Sequence, residues 1–296
     1  MTDSNVKKDE QFGFFRLDPV PRCDELSSFY QSQYYELIRQ GGRAPEIRRR
    51  MEGGDEAKQE LRWLEQTLFA DVADYLDRLL GRKGRVLDVG AGVGDLVGFL
   101  GNSGFSASGI EPSEDASAIA IERGLDVSCA TLEAWAATPH NQESYDAVVL
   151  VNVLEHVPDP LMLLSHARKL LKSGGVLCVR VPNDFSELQR IAESHTAHTR
   201  WWVFAPDHIN YFDFPSLSAI LQGAGYQPEE MTADFPMELF LLMGMDYVGV
   251  KEVGRQAHKM RKELEHSLPQ AVRQNLYRCF AAQGMGRNIL AFARNP

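Results

Sequence analysis

Between Arg85 and Pro182 five apolar runs recur at short intervals: RVLDVG, FSASGIE, LDVSCA, YDAVVLVNVL and GGVLCVRVP. Stretches of helical character separate them, from Asp95 to Leu100, Glu114 to Arg123, Leu132 to Ala137 and Pro160 to Leu171. Near-continuous apolar strands alternating with helices specify a parallel sheet covered on both faces. Upstream, Leu61, Leu64, Leu68, Val72, Tyr75 and Leu79 recur at three- and four-residue steps. That spacing predicts one amphipathic helix over Glu56 to Leu80, ended by Gly81.

The flanks are less regular. The first fifty-odd residues read as irregular around a short helix, ELSSFYQSQYYELIRQ. After Pro182, Asn183 to Asn210 carries three histidines and two adjacent tryptophans without periodicity. A helix is expected from Pro215 to Leu221, a sixth strand in YQPEEMTADF, a helical stretch from Met237 to Ala282 and a last strand in GRNILAFAR. The expected organisation is an N-terminal segment or lid (1–55), a core (56–234) with an acceptor-site loop (183–214), and a helical insertion with a final strand (235–296) completing the same domain.

The first apolar run leads into three alternating glycines, Gly90, Gly92 and Gly94, which invite a ligand close to the backbone. A triphosphate-binding loop needs GxxxxGK[ST], and no such lysine follows Gly94. A dinucleotide fingerprint needs GxGxxG, but counting from Gly90 puts Asp95 at the third glycine. An acid there also opposes a pyrophosphate at a helix N-terminus. A phosphate-free cofactor such as S-adenosylmethionine tolerates acids around the loop. Asp88 ends the first strand, and Glu111, after the second, is placed to accept from ribose hydroxyls, a role that nicotinamide enzymes also give to an acid there.

Composition narrows the partners. A net charge of −10 argues against nucleic acid as the default partner, although Arg39, Arg43, Arg48, Arg49 and Arg50 form a local basic tract. The four cysteines, Cys23, Cys129, Cys178 and Cys279, show no CxxC pairing, which fits a reducing compartment rather than a disulfide scaffold. The N-terminus lacks the apolar run of a signal peptide, and no stretch reaches the roughly 18 apolar residues of a membrane span. A cytoplasmic protein without a membrane or nucleic-acid partner is expected.

VLDVGAGVGDL, GIEPS, YDAVVLVNVLEHVPDP and LLKSGGVLCVRVPN, in that order, resemble the successive motifs of class I S-adenosylmethionine-dependent methyltransferases. The resemblance covers Arg85 to Tyr226, and PDHINYFDFPSLSAILQGAGY is similar to the family's post-core segment. It implies a Rossmann-like sheet of seven mostly parallel strands with the last inserted antiparallel, helices on both faces, and an N-terminal helical lid. It also implies that Asp88, Gly90, Ala91 and Gly92 lie under the methionine part of S-adenosylmethionine, with Glu111 at the ribose and Pro112 beside the adenine. Thr131 and Leu132 match the adenine-edge position, where many relatives have Asp or Asn, and Asn152 matches the position where backbone runs along the cofactor. The product would be S-adenosylhomocysteine. Tyr30, Tyr34 and Tyr35 lie in the segment that closes over the cofactor in relatives.

Methyl transfer to a hydroxyl requires alignment and a base for the proton. His208 is the first candidate and His156 the second, since both occupy loops at the carboxyl ends of strands, where such sheets bind ligands. His195 and His198 share the same irregular stretch, and Trp201, Trp202, Phe204, Tyr211 and Phe212 can wall a pocket. No cluster shows metal-ligand spacing, so no metal is expected. The expected acceptor is a hydroxylated small molecule, a sugar or saccharide-type metabolite first, with a quinone or polyketide second. A catalytically silent cofactor-binding protein is the competing class, and a nicotinamide oxidoreductase is disfavoured by the missing third glycine.

Overall fold

The computed structural model describes residues 5–21 and 53–296. Cys23, the three N-terminal tyrosines and the arginine tract lie outside them, so the lid expectation does too. Strands β3 (Arg85–Val89), β4 (Ser106–Ile110), β5 (Val127–Ser128), β6 (Tyr145–Val151), β7 (Leu171–Pro182), β9 (Gln227–Ala233) and β10 (Asn288–Arg294) form one sheet in the order β5-β4-β3-β6-β7-β10-β9. Strands β3 to β7 pair parallel, and β10 runs antiparallel to both β7 and β9. This is the seven-stranded arrangement with an inserted antiparallel strand that the resemblance implied. The third strand is shorter than LDVSCA suggested.

Helices α1 (Asp55–Leu64) and α2 (Ala70–Leu80) are joined by a π-helical turn, Glu65–Phe69, into the continuous helix that the periodicity predicted. The extra residue of a π-turn rotates the buried stripe, so Val72, Tyr75 and Leu76 are fully buried while Leu61, Leu64 and Leu68 are only partly so. Gly81 closes the helix in the left-handed conformation. With α3 (Asp95–Asn102), these helices cover one sheet face, against Val86, Ala147, Val149, Val176 and Cys178. The opposite face (Leu87, Val148, Leu150, Leu177, Val179) packs on α5 (Leu132–Ala137), α6 (Pro160–Leu170) and α8 (Phe214–Gly223). Their starts are chemically marked: Asp159 caps α6 with Pro160 in the first turn, and Asp213 with Ser216 forms a capping box on α8. Helix α4 (Glu114–Glu122), capped by Ser113, connects β4 to β5.

Two elements depart from the sequence reading. Residues 5–21 are not irregular: β1 (Val6–Lys8) and β2 (Phe15–Leu17) form a hairpin, and β2 pairs with β8 (Asn210–Tyr211) in a small second sheet. Strands this short carry no usable periodicity, and the partner is nearly 200 residues away. The stretch after Pro182 contains α7 (Glu187–His195), whose start is a capping box of Ser186 and Gln189. That S-x-x-Q pattern was the available signal.

The helical stretch before the last strand divides into α9 (Glu238–Leu242), α10 (Lys251–Ser267) and α11 (Gln270–Ala282). Polar contacts tie α10 and α11 to the core. Arg261 of α10 pairs with Asp234 (3.0 Å) and Glu265 (3.2 Å), and Glu265 also accepts from Trp63 of α1 and from Tyr277 of α11. Arg273 of α11 pairs with Asp71 of α2 at 2.8 Å. Asp234 is the hub at the end of β9: it accepts from Arg261, Arg180 and both amide donors of Asn288. Burial alone would raise its pKa, but Arg261 and Arg180 hold it below the ordinary value. Removing one partner of a buried ion pair leaves the others uncompensated. Asp234→Ala is therefore expected to lower the unfolding free energy by about 3–5 kcal/mol in denaturant titration, whereas exposed Lys58→Ala should change it by less than about 0.5 kcal/mol.

Candidate active site

The glycine loop and the carboxylates meet at the carboxyl ends of β3 and β4. Gly90 and Gly92 have φ of 72° and 55°, in the left-handed region. A Cβ on Gly90 would meet the Val153 side chain at 2.9 Å, while the space beside Gly92 is open to a ligand. Glu111 sits just past β4, and its two oxygens accept from Gly92 N–H and Ser113 N–H, both at 2.9 Å. The acid read as the ribose partner thus also braces the glycine loop. Asp88, at the end of β3, points into the same region. Burial and the nearby Glu111 push its carboxyl up to about 8, and burial also raises Glu111.

Neither carboxyl hydrogen-bonds a basic side chain among the described residues. Asp95, at the position that decided against a dinucleotide, pairs with Arg123 at 2.7 Å, and Arg123 also donates to Val93 O. That local cation is therefore already engaged. Two buried, closely spaced carboxyls with no basic partner among the described residues disfavour a phosphate beside them. Pro112 lies between Glu111 and the Ser113 cap, and Thr131 caps α5 through Ala134 N–H (3.3 Å), with Leu132 buried beneath it.

Asn152 directly follows β6 in the left-handed conformation, with φ of 57°. It is held there twice by one residue: its N–H donates to Arg180 O (2.9 Å), and its Oδ1 accepts from Arg180 Nη1 (2.6 Å). Such strain in a non-glycine residue persists where surroundings impose it, commonly at functional sites. Sequence reasoning missed Arg180, which lies inside an apolar strand and was taken as part of it.

His156 and His208 come together although 52 residues apart in sequence. Their rings pack edge to face with centroids 4.8 Å apart, and His208 also packs against Phe204. The loop before β8 is strapped to the turn after β6 by Ile209 N–H to Glu155 O (2.7 Å) and by Asn210 to Leu154 O and Val157 O. His156 Nδ1 lies 2.8 Å from Asp207 O and 3.2 Å from its carboxylate, with Glu155 3.8 Å from Nε2. Burial opposes charge on this ring, but Asp207 and Glu155 prevail and raise its pKa to about 9. Burial pushes Glu155 up to about 7. Glu155, His156 and His208 each bring a potential ligand atom within 4.8 Å of the others, a grouping the linear spacing did not reveal.

The other two histidines of the loop lie apart from this pair. His195 turns back onto Ile191 O in α7, and His198 pairs with Asp246 at 2.7 Å. Of the aromatics, Trp202, Tyr211 and Phe212 are buried, Trp202 and Tyr211 in a cluster with Phe185 and Leu17. Phe204 is 38% exposed.

The His156 geometry has a pH signature. A folded pKa raised above the unfolded 6.5 contributes stability that is complete below pH 6.5 and is lost as pH rises through about 9. The stability advantage of the wild type over His156→Gln is accordingly expected to be largest below pH 6.5 and to shrink steadily toward pH 9, as followed by denaturant midpoints across that range.

The family model described as a methyltransferase domain matches residues 62–231. Among curated proteins, the ubiquinone biosynthesis O-methyltransferase of Vibrio cholerae is 39% identical over 131 residues, 42% of this chain and 49% of that protein. The enzyme of the same name from Haemophilus ducreyi is 40% identical over 123 residues, 39% of this chain and 51% of that protein. The chain thus spans about half the length of the curated relatives it matches. Among solved structures, the 1,6-didemethyltoxoflavin-N1-methyltransferase of Burkholderia thailandensis covers 98% of this chain, with 99% of its own length covered, at TM-score 0.52 and 14% identity. A SAM-dependent methyltransferase from Archaeoglobus fulgidus covers 88%, with 100% of its own length covered, at TM-score 0.52 and 18% identity. At these identities the two structures speak to the fold.

Proposed function

The chain belongs to the methyltransferase-domain family, and we propose that it transfers a methyl group from S-adenosylmethionine to a hydroxyl oxygen of a small molecule. The observation that carries this reading is the pair of buried carboxyls, Asp88 and Glu111, at a glycine loop without a phosphate-binding lysine. Their donor set fits a cofactor with an ammonium, a ribose and no phosphate. When bound, S-adenosylmethionine supplies an electrophilic methyl carbon on a sulfonium.

The rest falls to the protein's own side chains. Asp88 faces the ammonium end, and the turn Gly90-Ala91-Gly92 lets backbone lie against the methionine part. Glu111 keeps lone pairs for ribose hydroxyls beyond the two spent on Gly92 and Ser113, since a carboxylate offers about four. Pro112, Thr131 and Leu132 border the adenine, and Asn152 the reacting end. His156 carries its proton at neutral pH and so has no lone pair for an acceptor hydroxyl; it serves as a fixed cation. The base is then His208, taking the proton from the acceptor oxygen as that oxygen becomes nucleophilic.

For the acceptor, the ubiquinone-biosynthesis names of the curated relatives favour the quinone-type alternative, a ring hydroxyl, over the saccharide that the sequence put first. The partially exposed Phe204 beside His208 suits a flat ring.

Glu111→Ala is expected to weaken S-adenosylhomocysteine binding at least about tenfold, roughly 1.4 kcal/mol, in calorimetric titration. Unchanged affinity removes Glu111 from the site, and NAD binding in its place overturns the whole reading. Because Asp88 holds its proton up to about pH 8 and an ammonium needs the carboxylate, S-adenosylhomocysteine affinity should rise with pH and level off above about 8. Asp88→Asn should flatten that rise. His208→Ala should retain S-adenosylhomocysteine binding and lose about 10²–10⁴-fold in turnover of an ortho-diphenol; full activity ends the base role.

A further inference from the structure

Beyond the residues read for cofactor and base, one cation at the sheet's carboxyl rim has a defined place and spare donors. Register fixes it. Asp88 of β3 pairs with Val149 of β6, and Val149 with Cys178 of β7, so these three share a row. Two residues further along, Val151 pairs with Arg180. Side chains two apart on a strand share a face, so Arg180 stands on the same face as Asp88, one row nearer the rim. Two strand spacings separate it from the end of β3, about 10 Å.

Among the described residues the Arg180 guanidinium makes two hydrogen bonds, to Asn152 Oδ1 at 2.6 Å and to Asp234 Oδ2 at 3.4 Å. The second is weak, because the same oxygen accepts shorter bonds from Arg261 (3.0 Å) and Asn288 Nδ2 (2.6 Å). Glu155 is the other acid that acts on Arg180. A guanidinium has five N–H donors in a planar fork that matches a carboxylate. Three remain, on a side chain that is 16% exposed and anchored from both sides. The anchoring means that little rotamer freedom is lost when a ligand binds.

We infer that Arg180 is the specificity-determining cation of the acceptor pocket, pairing with a carboxylate on an acceptor that lies across the end of β6. This rests on the methyl-transfer reading, since the pocket is defined by the cofactor seat at β3 and β4. The reacting hydroxyl then lies between Asn152 and His208, and the carboxylate points toward β7.

The test is calorimetric titration of the S-adenosylhomocysteine-loaded full chain with 3,4-dihydroxybenzoate and with catechol, which share the reacting diol and differ by the carboxylate. The wild type is expected to bind 3,4-dihydroxybenzoate at least roughly tenfold more tightly. Arg180→Gln should collapse that ratio to less than about twofold, and Arg180→Lys should keep part of it. The ratio is insensitive to a general loosening of the rim, which would weaken both ligands together. Equal affinities in the wild type, or a preference that survives Arg180→Gln, overturn the inference while the cofactor reading stands. A wild type that does not bind S-adenosylhomocysteine overturns the methyl-donor reading and the inference with it.

Discussion

Two carboxyl groups buried side by side at the ends of adjacent parallel strands set the terms for the rest of this molecule. Asp88 and Glu111 are each less than a tenth exposed, yet neither is bonded to a basic side chain among the described residues. Burying one unpaired carboxylate is costly, and burying two together is costlier still, as the upward displacement of both shows. The surrounding fold tolerates this because the strands and turns beneath are fixed independently. Both residues adjoin fully buried apolar strands, and the loop above is bonded to β4 through Gly90 N–H and Ala91 N–H to Ile110 O. Stability supplied by the core offsets the cost of holding both carboxyls at the rim.

The core was legible because its signals are local. Strand hydrophobicity, Pro160 behind Asp159, and Gly81 after the amphipathic stretch each act within one element, and each appears where the pattern put it. The parallel sheet followed from alternation, whereas its seventh, antiparallel strand was implied by the family resemblance. The glycine loop and its acids were legible for the same reason: spacing along one βαβ unit determines their position in space.

What escaped the sequence reading is what depends on distant pairs. The β2–β8 pairing, the Arg261–Asp234–Arg180 cluster and the His156–His208 contact join residues from 27 to nearly 200 positions apart. A charged residue such as Arg180 within GGVLCVRVP looks like a solvated strand end, and only the neighbouring strands show that it faces Asp234 and Asn152. Likewise the histidines could be ranked by the loops they occupy but not by protonation. Asp207 is next to His208 in sequence, yet it is His156 that it holds charged.

The rim also couples the two halves of the site. Asn152 holds its strained conformation through both backbone and side-chain bonds to Arg180, and Arg180 is steadied in turn by Asp234, the residue on which α10 docks. A displacement of the helices before β10 therefore reaches Asn152 through only two intervening side chains. In the proposed arrangement a charge that engages Arg180 from the pocket side uses the donors left by Asn152 and Asp234, so it meets a guanidinium that also holds the turn after β6. On the proposed reading, one side chain between the strained turn and the helical cap joins acceptor binding to alignment at the reacting end, as a reaction governed by positioning requires.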